Sequence, residues 1–164
     1  MDDKNLYASP EAEVDIQNDE LLAGRFARLV GSIIDGVLTA TVVLPAMFYF
    51  GYFDRAMANN ASLAEQATWP LLGFATYLAL NAYLLATSGQ TIGKRVVGVR
   101  IVSVEDGKIL PLSRLIMLRV LPFSILGQVP LLGPIAGLVN VLFIFGPARR
   151  CLHDYLAGTR VILA

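Results

Sequence analysis

The sequence predicts an all-α membrane protein, a bundle of four transmembrane helices with a small cytoplasmic β-hairpin. Three observations predict it. Hydrophobic residues fill 55% of the 164 positions, and the mean hydropathy is +0.61. Charged residues make up only 16%, against about 25% in a soluble domain. The apolar residues are gathered into long runs parted by short polar segments, as spanning helices require. The formal net charge is zero, so no global field points to nucleic acid, and the single cysteine, Cys151, excludes an internal disulfide or a multi-cysteine metal site.

Residues 1–22 are expected to form an acidic, flexible cytoplasmic tail. The first twenty hold Asp2, Asp3, Glu11, Glu13, Asp15, Asp19 and Glu20 against Lys4 alone. They lack the basic start and apolar core of a secretory signal. Residues 23–164 then form one membrane domain. Its first helix is placed at about 24–50, where Leu29–Phe50 carries only one charge, Asp35. At about 1.5 Å per residue this run crosses the roughly 30 Å hydrocarbon core. The second, about 69–87, is uncharged and opens on Trp69, which suits an interfacial aromatic belt with Tyr49 and Tyr52.

The segment after it is basic, with Lys94, Arg95, Arg100, Lys108 and Arg114 against Glu105 and Asp106. "VGVRIVSV" alternates and is rich in β-branched residues, and Asp106-Gly107 is a strong turn signal. A hairpin is expected over about 97–110, with strands Val97–Val104 and Lys108–Leu110 ended by Pro111. The C-terminal "TRVILA" is strand-like and could join it as a third strand. The last apolar stretch, Leu115–Gly146, is too long for one passage and is broken by "GQVPLLGP". Helices at about 111–126 and 131–146 are expected as a hairpin. Each is short for a full span, so a re-entrant hairpin competes. Basic residues concentrate in the 88–114 segment, while the 51–68 loop has only Arg55. That places the former in the cytoplasm, with both termini inside and four crossings.

Counting inward from the cytoplasmic helix ends, Asp35, Asn81, Arg119 and Asn140 fall at a similar depth, one on each helix. Intramembrane ionisable groups find partners and mark ion or proton paths. An Asp35–Arg119 ion pair flanked by the two asparagines is the simplest arrangement. The structural alternative is that these side chains hold the bundle together. Arg28, two turns before Asp35 on the same face, is expected to snorkel to the interface rather than touch it.

These residues also carry a resemblance. "AGRFARLVGSIID" resembles the opening motif of the RDD family of bacterial membrane proteins, with Arg28 and Asp35 at its arginine and first aspartate. "GQTIGKRVVGVRIV" and "RRCLHDYLAGTRV" are similar to the family's other landmarks, which puts Asp154 at the second aspartate. Arg25 departs from the aromatic pair often found there. The resemblance implies a multi-pass protein of the bacterial inner membrane. It also implies suspected transport of an undefined ligand, with sodium–proton antiport in some members.

Other patterns carry less. "GQTIGK" lacks the glycine spacing and hydroxyl of a phosphate loop. Lys94 and Arg95 are expected near anionic headgroups at the cytoplasmic mouth. His153 beside Asp154 is a candidate pH sensor there. No catalytic constellation, metal site or cofactor pattern is present. Two functions are expected to compete. One is a small transporter, exchanging Na+ or another monovalent cation for H+ at Asp35, as a homo-oligomer with the dimer favoured. The other is a non-transporting membrane module whose polar layer is structural.

Overall fold

The computed structural model describes residues 22–129 and 132–164; the expected tail lies almost wholly outside them. The opening apolar run forms α1, Arg25–Tyr49, with Pro45 near its far end. A short helix, α2 (Tyr52–Met57), turns the chain. The second long helix, α3 (Leu63–Ser88), starts six residues before Trp69. Ser62 and Glu65 form a capping box there, each closing on the other's backbone N–H, and this start signal lies in the polar stretch ahead of the apolar run. Trp69 packs against Phe50 and Tyr52 at that end of the molecule, with ring centroids at 6.3 and 5.6 Å.

Both long helices are long and apolar enough to cross a membrane, and only about a tenth of each apolar window is buried in the protein. Phe26, Leu29, Ile33, Val37, Val42 and Phe48 face outward from α1. A contiguous apolar surface of this kind belongs in lipid or against a partner.

After α3 the chain forms a short helix, α4 (Ile92–Val96), and then β1 (Val99–Ser103). The third apolar helix is α5 (Leu112–Leu115), a π-helical segment (Ile116–Val120) and α6 (Leu121–Leu126) in series. Pro122 lacks the N–H that would close on the Leu118 carbonyl, and the helix widens just ahead of it. Next come α7 (Leu132–Leu142) with a 3₁₀ turn (Phe143–Phe145), α8 (Leu152–Ala157) and β2 (Thr159–Leu163). The third and fourth helices are each about 21–23 Å long by helical rise, against roughly 30 Å of hydrocarbon.

The expected hairpin is corrected. Gly107 turns the chain with a positive φ, and the Ser103 N–H reaches the Lys108 carbonyl, but residues 108–110 form no strand. Instead β1 pairs antiparallel with β2, Val99 opposite Leu163 and Ser103 opposite Thr159. The C-terminal strand is the direct partner rather than a third one. The fold is therefore mostly helical with a two-stranded antiparallel sheet.

The pairing joins two segments of matching pattern. Thr91–Val102 and Cys151–Ile162 align without a gap. Thr91 and Cys151 are both N-caps, Gly98 and Gly158 are both left-handed, and Arg100 and Arg160 follow. Each copy is a short helix, a glycine and a strand, preceded by an apolar helical hairpin. Corresponding residues Ile101 and Val161 face one another at the centre of the ladder. The Val104 N–H donates to Gly158 O and the Ala164 N–H to Gly98 O, at 3.0 and 2.9 Å. The sheet is thus a local pseudo-two-fold axis. Its buried face, with Val99, Ile101 and Val161, packs with Ala23, Leu85, Leu110 and Leu115 to form the core. The sheet-side ends of the helices converge on it.

Candidate functional site

Asp35 sits ten residues into α1, buried. Its carboxylate accepts from the Thr91 hydroxyl and from the Gly93 N–H at 2.8 Å. Asn81, buried on α3, accepts the Ile92 N–H at 2.8 Å. Thr91 Oγ1 accepts the Lys94 N–H. Three side chains therefore satisfy the first three amide groups of α4, which would otherwise be orphaned away from water. This is possible because α4 lies directly on α1. A Cβ on Gly93 would stand 2.0 Å from the Gly31 carbonyl oxygen, so only glycine permits the approach.

The second copy is built alike from different residues. Asn140 Oδ1 accepts the His153 N–H at 3.0 Å and lies 2.9 Å from His153 Nδ1, which must carry the proton. The Asp154 carboxylate accepts from the Cys151 N–H and from Arg119, and Thr159 joins the same group. Arg28 donates to the carbonyls of Arg149 and Val161, and its guanidinium is 3.9 Å from Asp154.

The expected Asp35–Arg119 pair is thus corrected. Asp35 is compensated by amide and hydroxyl donors of the N-terminus of α4, and Arg119 by Asp154. Arg28 is buried and bonded rather than snorkelling. Asn81 and Asn140 serve two different short helices. Thr91 and Thr159 were not singled out by sequence, and Gly93 was weighed only as a glycine of "GQTIGK"; the hydroxyls ahead of "IGK" and of "RVIL" are the available signals.

The two constellations face one cavity of about 700 Å³. It runs along α1 from Arg28 to Leu44, passes α3 at Tyr77, and is bounded on the other side by the Arg119–Ser124 segment, His153 and Asp154. Lys94 also lines it, 9% exposed, and its ammonium has no hydrogen bond or ion pair among the described residues. Burial pushes that ammonium down to about 8, and Arg119 adds to the effect. Burial, with Arg119 beside it, also pushes His153 down to about 3. It is neutral at physiological pH, against the expectation of a pH sensor. For Asp154, burial raises the carboxyl, but Arg119, His153, the Cys151 N–H and Arg28 together hold it below its ordinary value. Arg95 is exposed and does not line the cavity.

The profile of the RDD family matches residues 22–158. The chain belongs to the RDD family. The three residues its resemblance rested on hold distinct posts in this RDD protein: Asp35 at the end of α4, and Arg28 with Asp154 in the second constellation. No curated protein and no solved structure matches the chain. Cys151, His153 and Asp154 bring potential metal-binding atoms within 4.8 Å of one another. Arg28 and Arg119 adjoin Asp154 and His153 Nδ1–H is engaged, so the group does not suit a cation.

Proposed function

We propose that this RDD protein is a small secondary transporter of the bacterial inner membrane, with both termini cytoplasmic, four crossings, and the cavity as its ligand path. The observation that carries the reading is the cavity itself. It lies between α1 and α3 on one side and the Arg119–Ser124 segment with α8 on the other, and it is lined by Arg28, Asp35, Lys94, Arg119 and Asp154. Ionisable side chains in a membrane protein gather where a ligand or proton passes. Transporters built from parallel repeats hold their ligand at the repeat interface.

Exchange of Na+ for H+ is one version of this function. The oxygens of Asp35, Asn81 and Asn140 do not support it, because they are engaged by backbone and hydroxyl donors and form no open cage. The cavity's proton-exchanging group is then Lys94. The experiment is proton flux into proteoliposomes holding an internal pH dye, under an imposed gradient of Na+ or of an anion. Flux that stops when Cys151, a lining residue, is alkylated with a bulky maleimide is the expected result. No flux under any gradient favours the second reading, a non-transporting module. That reading is supported by the capping role of Asp35, Asn81 and Asn140. A homodimer remains the assembly we propose, to be checked by mass in native nanodiscs.

A further inference from the structure

We propose that the cavity is a binding site for a small oxyanion, a carboxylate or a phosphate, whose charge is taken up by the Lys94 ammonium. The inference rests on the cavity being the ligand path and names the chemistry of the ligand. Three cations, Arg28, Lys94 and Arg119, line it against two carboxylates, Asp35 and Asp154. Both carboxylates are already engaged. Asp154 is held by Arg119 and the Cys151 N–H, and Asp35 by Thr91 and Gly93. The uncompensated charge is therefore positive, and it sits on a side chain more than nine-tenths buried with no partner among the described residues.

A buried ammonium without a hydrogen-bonded or ion-paired partner is an unfavourable group for a protein to hold. It persists where a counter-charge arrives from outside the chain. Arg119 adds to the case. Among the described residues it reaches its protein partners through Nη1 alone, leaving Nε and Nη2 as donors beside the cavity. A guanidinium fork and an ammonium together match the oxygens of a carboxylate or phosphate. The volume, about 700 Å³, is that of a small-molecule site. A cation would meet Lys94 without a free carboxylate to balance it.

The oxygens could belong to a free solute or to a lipid headgroup, and the test separates them. Cys151 is the only cysteine and lines the cavity, half-buried, so its alkylation by the neutral reagent N-ethylmaleimide reports occupancy. In a non-ionic maltoside, inorganic phosphate or lactate is expected to slow alkylation about tenfold at about ten times its dissociation constant, by simple occupancy. Lys94→Met should abolish the protection and Lys94→Arg should retain it. Protection that appears only on transfer to lipid nanodiscs, and is lost in Lys94→Met, assigns the oxyanion to a headgroup. Protection by Na+ and by neither oxyanion, equal protection in wild type and Lys94→Met, or no protection in any medium overturns the proposal. Should Lys94→Met fail to fold, the comparison of the two oxyanions with Na+ on wild type and Lys94→Arg still decides. Oxyanion binding without flux would leave this site standing and remove the transporter; Na+-driven flux without oxyanion protection would do the reverse.

Discussion

Burial sets the Lys94 ammonium at about 8, below its ordinary 10.5. Between those values the unfolded chain holds a proton that the folded chain lacks, so stability rises with pH across that window. The charges facing Lys94 come from every neighbouring element: Asp35 and Arg28 on α1, Arg119, and Asp154 beside Cys151 and neutral His153. Lys94→Met should accordingly be more stable than wild type below about pH 8, by roughly 1–3 kcal/mol. The gap should close as pH approaches 10.5. Denaturation midpoints at a series of pH values measure it, and a gap that widens with pH contradicts it. The Arg119–Asp154 pair behaves oppositely, since each partner is buried and neutralised by the other. Arg119→Ala removes the nearer guanidinium from Asp154, leaving Arg28 at 3.9 Å, and should cost up to about 3–5 kcal/mol, whereas Arg119→Gln with Asp154→Asn should cost less than Arg119→Ala alone. A double-mutant cycle reads the coupling, and strict additivity would count against it.

At the level of elements, α4 is the part that sequence reading could least supply. α1, expected at about 24–50 and found at Arg25–Tyr49, was legible because its apolar run carries a single charge. Asp35, Asn81 and Arg119, which are buried, were legible as polar residues within apolar helices. Their partners were not. Asp35 and Asn81 meet amide groups of a five-residue helix that folds back onto α1, and nothing in the periodicity of α1 reports that return. The hairpin failed for a related reason. Asp106-Gly107 does turn the chain, but a turn fixes only its own neighbours, while β1 finds its partner at the far end of the chain. The correspondence of Gly98-Val99-Arg100 with Gly158-Thr159-Arg160 was the visible clue. The α1–α4 contact gives a sharp test. Gly93→Ala drives a methyl into the Gly31 carbonyl, with Asp35 Cγ only 3.0 Å away. It should destabilise by about 1–3 kcal/mol or more, as overpacking does. Gly137→Ala, on α7 with nothing within 4 Å, should instead be neutral or gain about 0.5–1 kcal/mol of helix propensity. Thermal midpoints of the two variants in one detergent make the comparison, and equal losses would place the close approach elsewhere.

For the whole molecule, the sheet orders the helices. Ala23, just before α1, donates to Val161 O, and Gly89, just after α3, accepts from Ile101 N. Leu115 of α5 lies in the core against the sheet, and Arg25 of α1 donates to Ile144 O beyond α7. All four apolar helices thus begin or end at one side of the molecule, where the basic 88–114 segment also lies. The connection through residues 50–62 is on the other side, beside Trp69. If the basic side is cytoplasmic, Asn60→Cys labels from outside and Glu105→Cys from inside. Cys151→Ser is the proper background, because it removes the one native thiol and puts a favoured N-cap residue at the start of α8. The second hairpin is the harder case, its arms about 21–23 Å by helical rise. Gln128, at its tip, lines the cavity and is exposed. A bilayer thinned around a short hairpin costs only a fraction of a kcal/mol per Å of mismatch. A hairpin ending inside the hydrocarbon would leave the amides of its turn without water. Full crossing is therefore the expected outcome, with Gln128→Cys reacting with an impermeant maleimide added outside, more slowly than Asn60→Cys. Reaction at Gln128→Cys solely from the cytoplasmic side would make the hairpin re-entrant and reduce the four crossings to two.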